Sequence, residues 1–276
     1  MGQPGVPTID EYLEATLKEN GTLGFDGRVI AMQDGLRYEN IVHEKNGKIV
    51  YTYDLIDNIW EDRPSLSEEP VFTLEEKYTG ETVADKLARI RECMKENGAT
   101  AHILTTIDDI CWTLNMRGND IEFFPLVLSY AIITLDKMHL YINEAKLSDE
   151  IKEAFAKDGV VLHPYNDIYE DVKTYGEGET LLIDPVRLNY ALYSNISADA
   201  NKVEERNPEV LFKTMKNPTE VENMCKAQIK DSVAHVRFMK WLKENIGKMT
   251  ITEMSASDKL DEFRAEMGNF IRPSFE

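Results

Sequence analysis

The sequence predicts an α/β protein built on a mixed sheet that is covered by helices. Between residues 83 and 196, apolar segments of strand length alternate with segments of helical periodicity, as is typical of helices packed on a sheet. Residues 126–135 are nearly all apolar, which is typical of a central strand. Asp136-Lys137 lies between two apolar runs and predicts a hairpin, so the sheet contains both strand directions.

Residues 1–75 are expected to form only part of a domain. Thr8 and Glu11 match a capping box, which predicts a helix over Ile9–Lys18. The elements expected next are a strand, a helix and a strand, at residues 22–25, 29–42 and 49–53. Two helices and two short strands cannot bury a complete core. Residues 56–73 hold two X-Pro pairs and predict an extended connector.

The middle of the chain carries the regular alternation. A helix is predicted over Val83–Glu96, because its apolar residues recur with helical spacing and Asn97-Gly98 follows. The other elements expected are strands at residues 101–107, 126–135, 138–142, 160–163 and 181–184, and helices at residues 147–157, 168–173 and 190–196. Asp108-Asp109 is interpreted as the N-cap of a short turn over residues 110–114.

The last part of the chain predicts two helices. Asn217, Pro218 and Glu220 predict the start of a helix that runs to about Ile246. Its apolar residues form two faces: Val221, Cys225, Ile229, Val236, Met239 and Ile246 on one, and Ala227, Ala234, Phe238 and Trp241 on the other. Cys225 is therefore interpreted as a core residue. A helix that is apolar on two sides needs partners on both.

The second of these helices is predicted to be capped by Thr250 with Glu253 and to end at Gly268. Two helices alone cannot cover the apolar faces. We therefore expect the middle part of the chain, another subunit, or a segment outside this chain to pack there.

Composition narrows the function classes. The net charge of −19, from 31 basic and 50 acidic residues, argues against nucleic-acid binding, which requires clustered lysine and arginine. The three cysteines are far apart in sequence, so reduced thiols are expected. The sequence contains neither an apolar run of membrane-span length nor a signal-peptide core. We expect a cytoplasmic protein without a membrane partner.

The titratable residues do not predict a catalytic centre within the chain. The five histidines lie at scattered positions, without the spacing of a metal-binding motif. His102 and His139 fall in predicted strands and are interpreted as hydrogen-bonded core residues. We therefore predict no catalytic residue and no metal ligand in this sequence.

The polar loop after residue 114 is the exception. Gly118 permits a backbone turn that a Cβ would resist, and Arg117 and Asp120 place a guanidinium and a carboxylate beside it. Two interpretations are open. Arg117 and Asp120 form a bridge that only shapes the loop, or Arg117 makes a two-pronged contact with a carboxylate or peptide oxygen.

This loop resembles a known family. Leu114–Ile121, with Trp112 before it and Pro125 after it, resembles the middle domain of three-domain Xaa-Pro aminopeptidases, which belong to the creatinase and prolidase group of metallopeptidases. Three further stretches resemble the family in the same order: Asp54–Asp57 with Trp60 and Arg63-Pro64; Tyr78–Gly80 with Lys86 and Arg89; and Lys216–Pro218, Glu220 and Glu222–Met224 with Asp231 and Trp241-Leu242.

The resemblance implies three segments. Residues 1–75 correspond to the C-terminal part of a first creatinase-type domain plus connector, and residues 76–212 to a complete second creatinase-type domain. Residues 213–276 correspond to the first helices of a pita-bread catalytic domain. We expect that domain to continue beyond Glu276, so that the chain is an internal fragment of the enzyme.

The resemblance also implies a function. The intact enzyme removes the N-terminal residue that precedes proline, from peptides with proline in the second position. It uses two metal ions, usually manganese, and it is expected to be a homo-oligomer, as a dimer. Arg117, Asn119 and Asp120 are expected to face the catalytic cleft and contact substrate. This chain alone is expected to be inactive. The alternative is a free-standing creatinase-type interaction or oligomerisation module without catalysis.

Overall fold

The computed structural model describes residues 4–273 and 275, so the expected domain limits at Met1 and Glu276 lie outside the described residues. The first elements are α1 (Ile9–Thr16), β1 (Thr22–Gly24), α2 (Met32–Glu44) and β2 (Lys48–Val50). The capping box of Thr8 and Glu11 is present. β1 and β2 pair in parallel, because α2 returns the chain to the same end of the pair.

The elements of the middle part are β3 (Phe72–Thr73), α3 (Glu76–Thr79), α4 (Val83–Glu96), β4 (Ala101–Leu104), α5 (Ile107–Thr113), β5 (Met116–Arg117), β6 (Tyr130–Thr134), β7 (Met138–Tyr141), α6 (Asp149–Lys157), β8 (Val160–His163), α7 (Ile168–Asp171), β9 (Thr180–Ile183), α8 (Tyr190–Asn195), β10 (Asn201–Glu204) and α9 (Pro208–Thr214). The last part consists of α10 (Pro218–Asn245) and α11 (Glu253–Glu266).

The predicted mixed sheet is confirmed. Six strands form it in the order β10-β9-β4-β6-β7-β8. The β4–β6 and β6–β7 pairs are antiparallel, and the β10–β9, β9–β4 and β7–β8 pairs are parallel. Successive residues of β6 point to opposite faces, so Ala131 and Ile133 enter one core and Ile132 enters the other.

Each face of the sheet carries its own core. The first core contains the apolar stripe of α4 and residues from α5 and α6. The second core contains residues from α7 and α8, together with Met32 of α2. The N-terminal part of the chain is therefore packed against the sheet. The fit is close at Gly35, where a Cβ atom would lie 2.1 Å from Cδ2 of Tyr190.

Several predicted boundaries were wrong, and the reasons are local. β4 ends at Leu104, and Thr106 rather than Asp108-Asp109 is the N-cap of α5. Its hydroxyl donates to Oδ2 of Asp109 over 2.6 Å, so the acidic pair lies in the first helical turn. The strand predicted over 126–135 begins at Tyr130, because residues 126–128 hydrogen-bond to the preceding loop. Prediction also missed β10 and α9.

The last two helices behave as an incomplete layer. The capping box at Asn217 and Glu220 is confirmed, whereas α11 is capped by Thr252 with Ser255 rather than by Thr250 with Glu253. Ala234 is buried against α11, but Ile229 is 65% and Val236 68% exposed. Cys225 lies on the same uncovered face and is exposed, so its assignment to the core was wrong. Among the described residues, no helix is long and apolar enough to cross a membrane.

Candidate functional site: the Arg117 loop

We define the Arg117 loop as residues 114–128, which connect α5 to β6. β5 within it pairs antiparallel with β3 of the connector. Asn115 adopts a left-handed conformation with φ of 51°, which asparagine tolerates better than most residues. Gly118 is required for space, since a Cβ there would lie 2.7 Å from Cγ2 of Val127. Gly118 and Asp120 donate backbone hydrogen bonds to the carbonyls of Pro125 and Leu126.

The side chain of Arg117 is turned back on the end of α5. Its Nη1 donates to the carbonyl oxygens of Cys111 over 3.1 Å and Met116 over 2.8 Å. Burial lowers the pKa of Arg117, although an arginine remains protonated at physiological pH. The guanidinium therefore satisfies the carbonyl of Cys111 in the last turn of α5, where a cation is favourable, and the carbonyl of Met116 in β5.

The side chain of Asp120 is fully buried and forms an ion pair with Lys146, whose side chain is 2% exposed. Its Oδ2 also accepts the backbone N–H of Leu128 over 2.7 Å. The bridge between Arg117 and Asp120, one of the two interpretations of the loop, is thus replaced by a bridge from Asp120 to Lys146. Oδ1 of Asp120 is buried without a hydrogen-bond partner among the described residues, an arrangement that costs stability.

Asn119 is exposed and contacts the C-terminal segment of the chain. Its Oδ1 accepts a hydrogen bond from Nη2 of Arg272, which also donates to the carbonyl of Gly118 over 3.1 Å. Residues 269–273 therefore lie against the Arg117 loop. This contact joins positions more than 150 residues apart in sequence.

A cleft of about 600 Å³ lies between the loop, α10, α11 and the C-terminal segment. The loop contributes Phe123 and Pro125 to its lining, and the opposite side contributes Asp231, Asp261 and Arg264. Arg264 bridges the two aspartates at 2.8 and 3.2 Å. Of the three predicted site residues, Asn119 is linked to this cleft through Arg272, which lines it.

The histidines of the sheet are held by hydrogen bonds. His102 is fully buried; its Nδ1 lies 3.0 Å from the carbonyl of Leu182 and its Nε2 lies 3.2 Å from Glu209. His139 and His163 contact each other at 2.9 Å across β7 and β8. Within residues 4–273 and 275, no group of three histidine, cysteine or acidic side chains is arranged to hold a metal ion.

Sequence reasoning predicted no role in this site for three cations that shape it: Lys146, Arg272 and Lys86, which entered only through the family resemblance. Only the burial of Lys86 could have been predicted from the sequence, because Lys86 lies three residues after Val83 on the apolar stripe of α4. Lysine is rarely buried unless it is paired. Lys146 and Arg272 lie in a turn and near the chain end, where local pattern does not predict a partner.

Comparison with known proteins shows which family and fold the chain resembles. The model of the creatinase/prolidase N-terminal domain matches residues 62–220. Xaa-Pro aminopeptidase 1 of Dictyostelium discoideum is 35% identical over 99% of this chain and 45% of its own length. The crystal structure of X-prolyl aminopeptidase from Caenorhabditis elegans, described as a cytosolic enzyme with a di-nuclear active site, is 29% identical with a TM-score of 0.91. The match covers 100% of this chain and 46% of that one. The chain thus spans a little under half the length of these relatives.

Proposed function

The chain belongs to the Xaa-Pro aminopeptidase family and carries its creatinase/prolidase N-terminal domain, and from this membership we propose that it is the non-catalytic N-terminal and middle region of such an enzyme. In this proposal the intact protein removes the N-terminal residue before proline. The observation that carries it is the match of the whole chain to the C. elegans X-prolyl aminopeptidase at a TM-score of 0.91.

The proposal divides the chain as the resemblance does. Residues 1–75 are the end of a first creatinase-type domain with its connector, residues 76–212 are the second such domain, and residues 213–276 begin the catalytic domain. The exposed apolar face of α10 supports this division, because it requires a further layer. We propose that the remainder of the catalytic domain supplies that layer. A cytosolic location, as described for the C. elegans relative, and a homodimeric state are also part of the proposal.

Two metal ions, manganese in our proposal, belong to the intact enzyme, in agreement with the di-nuclear active site of the relative. Residues 4–273 and 275 do not fit such a centre. The buried carboxylate side chains that the structure describes are already paired with basic side chains: Asp120 with Lys146, Asp109 with Lys213, Glu209 with His102, and Asp184 with Arg187. We therefore assign no catalytic residue to the chain and derive no step through the metals.

The Arg117 loop is the part of the chain that we propose to act on substrate. Arg117 would provide a planar pair of donors for a carboxylate or peptide oxygen. Asn119 reaches the rim of the cleft through Arg272. Asp120 is buried, so its contribution is to fix the loop through Lys146. A loop held in this way keeps a specificity contact in place.

A chimera tests the proposal. This chain replaces the matching region of the C. elegans enzyme, and hydrolysis of a short Xaa-Pro peptide is measured with manganese present. We expect turnover that depends on metal, and none from the 276-residue chain alone. We expect Arg117→Lys to lower kcat/KM of the folded chimera by roughly ten- to a hundredfold, and to lower Tm as well, because Arg117 also donates to the carbonyl of Cys111. Arg206→Lys, at an exposed position, is the matched control.

A folded, metal-loaded chimera without turnover would contradict the proposal. It would leave the chain as an interaction module, for which the uncovered face of α10 is the supporting observation. Turnover that is unchanged by Arg117→Lys would remove Arg117 from the substrate site and leave the rest of the proposal in place.

A further inference from the structure

Lys86 is a buried cation whose partners are uncharged. It lies on α4 and is 2% exposed. Its Nζ donates to the carbonyl of Trp112 over 2.8 Å and to Oδ1 of Asn115 over 2.6 Å. The same nitrogen lies 4.3 Å from the centre of the Trp112 ring, within the range of a cation–π interaction. All three contacts are made to Trp112 and Asn115, on the segment that leads into Arg117.

These contacts hold Asn115, the left-handed residue at the start of the Arg117 loop. Asn115 holds its left-handed conformation between Lys86 and two backbone partners: its Nδ2 donates to the carbonyl of Glu81 over 2.9 Å, and its carbonyl accepts from Leu74 over 2.8 Å. Arg117 follows two residues later in β5. A change at Asn115 would therefore be transmitted directly to the direction of Arg117.

Lys86 and Arg117 share the C-terminal end of α5. Arg117 donates to the carbonyl of Cys111, and Lys86 donates to the next carbonyl, that of Trp112. Carbonyls in the last turn of a helix are the ones that need partners outside the helix, and they favour cations. The position of α5, and with it the start of the loop, is therefore fixed by these two side chains together.

We propose that Lys86 is the positioning residue of the Arg117 loop: its ammonium group holds the end of α5 and Asn115 in the geometry that orients Arg117. The positioning role of Lys86 follows from contacts within this chain. Its consequence for peptide cleavage rests on the proposed function. Lysine suits the role because one ammonium group offers three donors that can be directed at two oxygens and one ring face.

The charge on Lys86 is sensitive to moderately alkaline pH. Burial lowers the pKa of Lys86 to about 8. Among the charged groups that face it, Glu81 and Glu220 raise the pKa, and Arg117 and Arg89 lower it. The neutral amine loses the cation–π interaction and one donor, so the hold on the loop weakens above that pH. Because the folded pKa lies below the unfolded one, this deprotonation does not itself reduce global stability.

Hydrogen exchange on the full chain at pH 7 tests the proposal. In Lys86→Met we expect faster exchange of the backbone amides in residues 112–120, while β6 and β7 exchange as in the wild type. Lys95→Met is the matched control, because Lys95 lies on the same helix and its side chain is 59% exposed. Loop exchange that is unchanged, or a rise that is equal along the whole chain, would overturn the positioning role.

A second measurement keeps the proposal testable if Lys86→Met does not fold. In a Trp60→Phe/Trp241→Phe background, Trp112 is the only tryptophan of the three. Its emission is expected to change with a midpoint near pH 8, because the ammonium next to the ring loses its charge. The absence of a transition below pH 9 would refute the assignment.

Activity extends the test. If the wild-type chimera cleaves an Xaa-Pro peptide, Lys86→Met should lower kcat/KM at least about tenfold and remove an alkaline limb near pH 8. An active chimera that is unaffected by this substitution counts against the positioning role. An inactive wild-type chimera counts against the proposed function alone, and hydrogen exchange then decides the role of Lys86.

Discussion

At the scale of single residues, the buried charges of this chain are held by partners from distant positions. Asp120 pairs with Lys146, and His102 pairs with Glu209, 107 residues away. A buried charge is costly unless it is paired, and removing one partner costs about 3–5 kcal/mol. These pairs therefore make local geometry depend on the complete fold, and they explain why the Arg117 loop is fixed although few of its residues lie in regular structure.

The His102–Glu209 pair makes stability depend on pH. Burial alone would lower the pKa of His102, but the charge and hydrogen bond of Glu209 outweigh it, and the pKa is raised above 6.5. Because the folded pKa is raised, the contribution of this pair is complete below about pH 6.5 and is lost as pH rises through the folded value. We expect the free energy of unfolding in urea to fall between pH 6 and pH 9 by more in the wild type than in His102→Gln.

The comparison with His102→Gln isolates the effect of the His102–Glu209 pair on stability. The pKa of His139 shifts in the opposite direction, because burial and His163 lower it. An identical pH dependence in wild type and variant would show that His102 does not carry the effect. In that case Glu209 stabilises a neutral histidine by hydrogen bonding alone.

At the scale of elements, α2 is held against the sheet by close side-chain packing, although it is distant in sequence from the strands of that sheet. Gly35 lies against the ring of Tyr190, and Met32 is buried in the second core. On its own, Gly35→Ala would favour the helix by about 1 kcal/mol. In the folded protein we expect it to destabilise by about 1–3 kcal/mol, because the new Cβ would overlap the ring. Denaturant unfolding measures the difference.

The double variant Gly35→Ala/Tyr190→Ala provides the control, since alanine at position 190 lacks the Cγ, Cδ2 and Cε2 atoms that the new Cβ would meet. We expect the two substitutions together to cost less than the sum of the single costs. Additive costs would mean that the backbone shifts to accept the Cβ and that the close approach does not hold α2 in place.

At the scale of the whole molecule, the uncovered face of α10 predicts self-association of the isolated chain. Ile229 and Val236 are mostly exposed on this face, and large exposed apolar patches favour association. We expect sedimentation velocity to show concentration-dependent association that Ile229→Asp/Val236→Asp abolishes. Lys240→Ala, at an exposed polar position of the same helix, should associate as the wild type does. A wild-type chain that stays monomeric at high concentration would contradict the prediction.

The sequence by itself determined the elements whose signals are local. The capping boxes at Thr8 and Asn217, the apolar stripe of α4 and the alternation that builds the mixed sheet were each predicted and found, because caps and periodicity depend on residues a few positions apart. The Arg-Gly loop motif likewise carried the family assignment, which the comparisons confirm.

Only the tertiary structure decided the partners. Lys146 rather than Arg117 neutralises Asp120, Lys86 holds Asn115, and Arg272 reaches Asn119 from the other end of the chain. β10 and the short α9 were likewise found only in the fold, because a short half-buried strand has weak periodicity and is specified by the edge it pairs with. Charged side chains pair with the groups that the fold brings close to them, and a local sequence pattern does not encode that proximity.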